Sequence, residues 1–163
     1  MSLRTSRTVV GSLLLAVGLM APACAERREG AASPSPDPEL AKRGSIEVTA
    51  RLVEIPEGAI FQRELYNYAT VLKYQVLEVH RGKVKGQTIY VGHYNPFKPR
   101  SEVADQRVQD VGGNLKSFRA GQVHRMALEE SMLDHFTGGI LNKYSAEDTD
   151  PIYWAVWTNP VSD

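Results

Sequence analysis

Hydrophobic and polar positions alternate along several stretches of this chain, most clearly between Tyr68 and His93. Tyr68, Thr70, Leu72, Tyr74 and Val76 share one face of a predicted strand. The alternation then slips by one residue, so that Leu77 and Val79 carry the apolar face. Such a slip within a strand is what a β-bulge produces. His80 to Gly86 is the turn, with Gly82 and Gly86 at positions suited to positive φ, and Ile89 and Val91 continue on the return strand.

Three more strands follow from the same period. Ile46, Val48, Ala50 and Leu52 share a face within Ser45 to Ile55, and Met126 and Leu128 share one within Gln122 to Glu129. In the last, Ile152 to Thr158, Ile152, Trp154 and Val156 face one way and Tyr153, Ala155 and Trp157 the other. Between them, Ala59 to Asn67 reads as a short helix or a covering loop. From Tyr94 to Asn114 the pattern lapses, with Gly112-Gly113-Asn114 reading as a turn. Ser131 to His135 starts a short helix that Gly138-Gly139 stops. Residues 45–163 thus read as one all-β domain, a small barrel or sandwich with a long loop insertion.

The first 25 residues change this picture. Arg4 and Arg7 precede the apolar run Val9 to Met20, which is too short for a comfortable transmembrane helix and has the form of an export signal. Ala23-Cys24-Ala25 fits release of a soluble protein at Glu26; cleavage before Cys24 would free that cysteine for lipid attachment. Ala23-Cys24 resembles the lipobox of bacterial lipoproteins, with Ala21 acceptable and Pro22 a poor fit. The resemblance implies a mature chain from residue 24, held by Cys24 on the outer side of the cytoplasmic membrane or in the outer membrane. The alternative is a soluble periplasmic or secreted protein. Residues 26–44, with three prolines, two serines and mixed charge, read as a disordered tether spanning roughly 25 Å.

Within the domain, Tyr74-x-Val76-x-x-Val79, then Gly82 and Gly86, Ile89-x-Val91, and Phe118-x-x-Gly121 before a strand resemble exported OB-like barrels such as the netrin and metalloproteinase-inhibitor domains. The resemblance covers about 60 of 163 residues and implies an OB-like barrel. An immunoglobulin-like β-sandwich would follow similar strand grammar. The inhibitors of that group rely on disulfides and a free N-terminal cysteine. Cys24 is the single cysteine here, so their mode of inhibition does not carry over.

Composition narrows the chemistry. The 163 residues carry 19 basic and 19 acidic side chains. Without the first 25 residues, 17 basic face 19 acidic, a formal charge of −2, which argues against capture of nucleic acid. The histidines His80, His93, His124 and His135 form no short metal-ligand pair, and no metal or cofactor is expected. No G-x-S-x-G is present, Ser131, Asp134 and His135 are only sequence neighbours, and Glu129-Glu130 diverge. No catalytic residue is assigned.

The aromatic set is more suggestive. His93, Tyr94, Asn95 and Phe97 sit at a loop entrance, and Trp154 and Trp157 fall on opposite faces of the last strand. The plainer reading makes both core, one inside the barrel and one under the 94–114 loop; the alternative leaves one exposed and able to stack on a sugar ring. Lys83, Lys85, Lys98 and Arg100 would offer an edge for an acidic glycan. The expected function is a non-enzymatic binding module of the bacterial envelope, tethered to a membrane through Cys24, for a protein or a polysaccharide. Two alternatives stand: a small exported enzyme using His93 and His124 near the 94–114 loop, and a structural spacer with no ligand.

Overall fold

The structure is a computed structural model, described here for residues 37–61, 66–145 and 151–161. The expected export signal, Cys24 and most of the expected tether lie outside the described residues. Among the described residues seven strands form one sheet: β1 (Ile46–Glu54), β2 (Tyr68–Arg81), β3 (Thr88–Tyr94), β4 (Gly112–Gly113), β5 (Val123–Glu129), β6 (Gly139–Leu141) and β7 (Ile152–Pro160). Five of them close into a barrel in the order β1-β2-β3-β7-β5 and back to β1. Only β3 and β7 pair in parallel within this ring. This is a small OB-like barrel, as the strand grammar predicts, and not a sandwich.

The period-two pattern explains the closure. Ile46, Val48, Ala50 and Leu52 meet Leu72, Tyr74, Ile89, Val91, Met126, Leu128, Tyr153 and Ala155 in the barrel interior. The opposite parity builds a second cluster outside the barrel, from Ala69, Val71, Tyr94, Ala127, Trp154 and Val156. That outer face is clothed by Val103, Val108 and Val111 of the insertion and by Met132 and Phe136 around α2 (Met132–His135).

β2 shows the predicted bulge. Thr49 of β1 opposes Glu78 while Ala50 opposes Val76, which leaves Leu77 as the extra residue. A second extra residue falls at His80, between Val79 and Arg81. The expected burial of Leu77 and Val79 does not follow; they are 48% and 42% exposed. β3 starts only at Thr88, opposite Gln75, so the far part of β2 has β1 as its ladder partner but not β3.

Three other expectations are corrected. Residues 37–44 are not an extended tether: Pro38–Lys42 is a short helix, α1, with Leu40 buried in the outer cluster. Gly112-Gly113 is not a turn but β4, lying parallel to Trp157–Thr158 of β7. Added Cβ atoms there would meet the Trp157 ring at 2.5 Å and the Thr158 carbonyl oxygen at 2.0 Å, so the approach of β7 demands glycine. Trp154 and Trp157 do not point to opposite sides. Ala127 opposes Trp157 and Leu128 opposes Ala155, so Val156 is a bulge and both indoles join the outer cluster.

Candidate functional site

Strand parity fixes the fate of two histidines. His93 follows Ile89 and Val91 on the inward side of β3, and His124 precedes Met126 and Leu128 on that of β5. Both lie in the barrel interior with no exposed surface. Tyr74 Oη on β2 stands 3.1 Å from His93 Nε2 and 3.1 Å from His124 Nδ1. Residue pattern groups His93 with His124 but does not join Tyr74 to them, because the pairing depends on which strands become neighbours in the closed ring.

The hydrogen bonds set the protons. The Arg119 amide donates to Gln122 Oε1 at 2.9 Å, which identifies that atom as the oxygen. His124 Nε2, 3.4 Å from the same oxygen, therefore carries a proton, and its Nδ1 accepts from the Tyr74 hydroxyl. The Tyr74 oxygen accepts from His93 Nε2–H. His93 Nδ1 is then a buried lone pair without a partner. Burial, with Arg100 and His124 nearby, holds the His93 pKa well below that of a free imidazole. Burial lowers that of His124 to about 4. Both rings are neutral at neutral pH, and neither touches solvent.

Arg100 closes the end of this chain. It opens a single 3₁₀ turn, Arg100–Glu102, and is 3% exposed, so it forms no edge for an acidic glycan. Its guanidinium donates to the carbonyls of Tyr94 at 2.8 Å, Asn95 at 2.6 Å and Lys98 at 3.1 Å. It also lies 5.2 Å from the Phe118 ring centre. The Phe118 ring in turn contacts His93 at 4.6 Å and His124 at 5.7 Å between ring centres. Burial lowers the Arg100 pKa to about 10, which leaves it charged.

The loop that Arg100 holds carries an aromatic surface. Phe97 stacks on Tyr68 at 5.9 Å with the planes 16° apart. Phe61 and Tyr66 join Tyr68 at 4.8 and 5.8 Å between ring centres. Tyr68 is buried, Phe61 and Phe97 are half-buried, and Tyr66 is 56% exposed. Lys98 Nζ lies 5.6 Å from the Phe97 ring centre. Ile140 of β6, next to Gly139 beside the Tyr66 ring, adds an exposed aliphatic neighbour.

A polar frame stands behind these rings. Asn95 takes φ 40°, a left-handed conformation that asparagine tolerates better than most residues. Its amide donates to the Tyr68 carbonyl at 2.8 Å, and its Oδ1 accepts from the Tyr68 amide at 3.1 Å. Asn95 Nδ2 donates to Asn67 Oδ1 at 3.0 Å, and Asn67 Nδ2 donates to Asp105 Oδ2 at 2.9 Å. The Tyr94 hydroxyl donates to the same Asp105 oxygen at 2.6 Å. Burial pushes the Asp105 carboxyl up, but the bonds from Tyr94 and the Val108 and Arg107 amides outweigh it and leave the pKa lowered. Burial, and then that hydrogen bond to ionised Asp105, push the Tyr94 hydroxyl up.

The six residues expected to bind a ligand thus separate. Phe97 belongs to the exposed aromatic surface, and Asn95 orders it from behind. His93 lies in the barrel; Tyr94 and Trp154 are buried outside it. Trp154 stacks on Phe136 at 5.7 Å. Trp157 is covered by the Arg43 guanidinium at 4.4 Å and donates to Asp37 Oδ2 at 3.2 Å. Tyr66 and Phe61 were missed; the available signal was three aromatics, Phe61, Tyr66 and Tyr68, gathered at the mouth of one strand. His80 lies 2.8 Å from Thr49 Oγ1 and 3.5 Å from Glu78. Among the described residues no group of three or more histidine, cysteine or acidic side chains is arranged to hold a metal. No helix among them is long and apolar enough to cross a membrane. Comparison with protein-family models, curated proteins and solved structures finds no match.

Proposed function

We propose that this is an exported, non-enzymatic binding module of the bacterial envelope, held to a membrane by a lipid on Cys24, that takes a polysaccharide on its aromatic surface. One observation carries the ligand: Tyr66 stands exposed over a platform of Phe61, Tyr68 and Phe97 that is fixed from behind by Asn95, Asn67 and Asp105. Rigid aromatic faces with nearby polar groups suit the apolar faces of sugar rings. The loop between the first two strands, which carries Tyr66, is one that OB barrels use for oligosaccharides. The burial of His93 and His124 favours binding over catalysis, because no substrate reaches either ring in this conformation. The anchor rests on the Ala23-Cys24 motif.

A glycan array probed with the purified chain tests the ligand. Tyr66→Ala and Phe97→Ala are expected to lower the strongest signal at least about tenfold, the equivalent of about 1.4 kcal/mol. Tyr66→Ala should leave thermal stability within about 0.5–1 kcal/mol of the parent, as expected for an exposed side chain. A signal indifferent to both variants, or no signal at all, would remove the polysaccharide. The intact mass of the mature protein tests the anchor: a membrane-bound species carrying a diacylglyceryl and an acyl group on Cys24 is expected, and a soluble species starting at Glu26 would remove it.

A further inference from the structure

We propose that Tyr74, His93, His124 and Arg100 form an acid-sensitive clasp on the 94–98 loop, so that protonation of the histidines releases the segment holding Phe97. The proposal deepens the aromatic-surface reading by giving that surface a regulator; its physical basis is independent of which ligand binds.

The clasp is continuous. His93 is the residue before Tyr94, and Arg100 donates to the carbonyls of Tyr94, Asn95 and Lys98, which frame Phe97. Phe118 fills the space between Arg100 and both imidazoles. The guanidinium that grips the loop bearing Phe97 therefore sits buried beside two neutral rings.

The surroundings offer no compensation for a new charge. The groups facing the rings are Tyr74 from β2, Arg100 from the 3₁₀ turn and Gln122 from the loop before β5. Tyr144, after β6, interacts with Tyr74, and β7 turns Tyr153 inward with its hydroxyl accepting from the Lys85 amide. β1 contributes only apolar side chains to the interior cluster. Among the described residues no carboxylate is bonded to either ring. Protonating His93 or His124 would add a second cation beside Arg100 in a low-dielectric interior and would break the donor–acceptor sequence through Tyr74. The nearest relief is outward movement of Arg100 with its three carbonyls.

The direction follows from proton uptake. An opened loop exposes imidazoles with a pKa of 6.5, against about 4 for His124 in the closed state. At about pH 5 the open state binds the extra proton, and opening is favoured by about twentyfold through His124 relative to neutral pH, with His93 acting in the same direction.

Hydrogen exchange of the full chain, read by mass spectrometry at about pH 7.5 and about pH 5 and corrected for intrinsic rates, tests this. Protection over residues 94–100 is expected to fall about twentyfold or more on acidification, while β1 and β5 keep theirs. His124→Asn retains an acceptor for Tyr74, and His93→Gln retains a donor; neither replacement takes a proton in this range. Each is expected to shrink the pH step, and the double variant to flatten it. A 94–100 segment indifferent to pH, a step shared equally by β1 and β5, or a step that neither single variant shrinks would overturn the clasp; if the variants fail to fold, the pH response of the parent decides alone. The readout needs no ligand, so a failed glycan screen leaves it standing, and its own failure leaves glycan binding standing.

Discussion

Tyr74 is the residue on which the barrel's polar interior depends. Its hydroxyl both donates and accepts, which lets two imidazoles share one buried partner without a charge. Tyr74→Phe keeps the ring and removes that atom, leaving His93 Nε2–H and His124 Nδ1 unsatisfied. The cost is expected to be about 2–4 kcal/mol in urea unfolding, the penalty of one or two buried polar groups without partners. The same pair sets the acid limb of stability. Both imidazoles are held neutral by burial, with folded pKa values below 6.5, so above that pH neither state takes a proton and the contribution is complete. As pH falls from 6.5 towards 4 the unfolded chain binds protons that the folded barrel refuses. Stability should then drop by about 1.4 kcal/mol per pH unit for each histidine, measurable as a falling urea midpoint. A flat midpoint across this window would mean that the rings are accessible or charged.

At the scale of elements, α1 and β4 illustrate where sequence pattern stops being informative. α1 has five residues and a proline-rich approach, and its stability comes from tertiary contacts rather than periodicity. Asp37 caps it through the Glu39 amide at 2.9 Å and accepts from Asn159 at 2.6 Å, a partner 122 residues away. Arg81 receives the other end, donating to the carbonyls of Leu40, Ala41, Arg43 and Gly44. Asp37→Ala should cost about 1–2 kcal/mol in thermal unfolding and expose the segment to limited proteolysis, which would otherwise remain slow there. β4 is only two glycines, too short for any period, and its position is set by β7. Gly113 combines φ 130° with a backbone contact that no side chain fits. Gly113→Ala is expected to destabilise the fold by at least about 2 kcal/mol in the same assay.

For the whole molecule, the barrel was legible because each of its five long strands carries a run of buried side chains on one parity, as Ile46, Val48, Ala50 and Leu52 show. Even the bulge at Leu77 was written as a slip of the alternation. What pattern did not convey was which apolar residues find a cover. Leu77 and Val79 match the buried strands in type, but the late start of β3 leaves them in solvent. The tryptophans failed for the reverse reason: a bulge at Val156, unmarked by polarity, turned Trp157 to the side of Trp154. The site was half legible. Phe97 and Asn95 were placed at a loop entrance, while Tyr66 and the inward histidines needed the ring to close before their neighbours were defined.

The attachment of α1 also has a mechanical consequence. A pull arriving through the N-terminal segment reaches Asp37 first, then the carbonyls gripped by Arg81, and only afterwards β1. These bonds are loaded in sequence and can be peeled, whereas β1 is paired on both sides, to β2 and to β5. Under steady force the domain should yield in two steps. The first frees residues 37–45, a length of about 30 Å, and the barrel survives it. A single extension with no such precursor in an optical trap would show that the helix and the barrel fail together. In the two-step case α1 acts as a fuse, absorbing a tug from the N-terminal side before the barrel is disturbed.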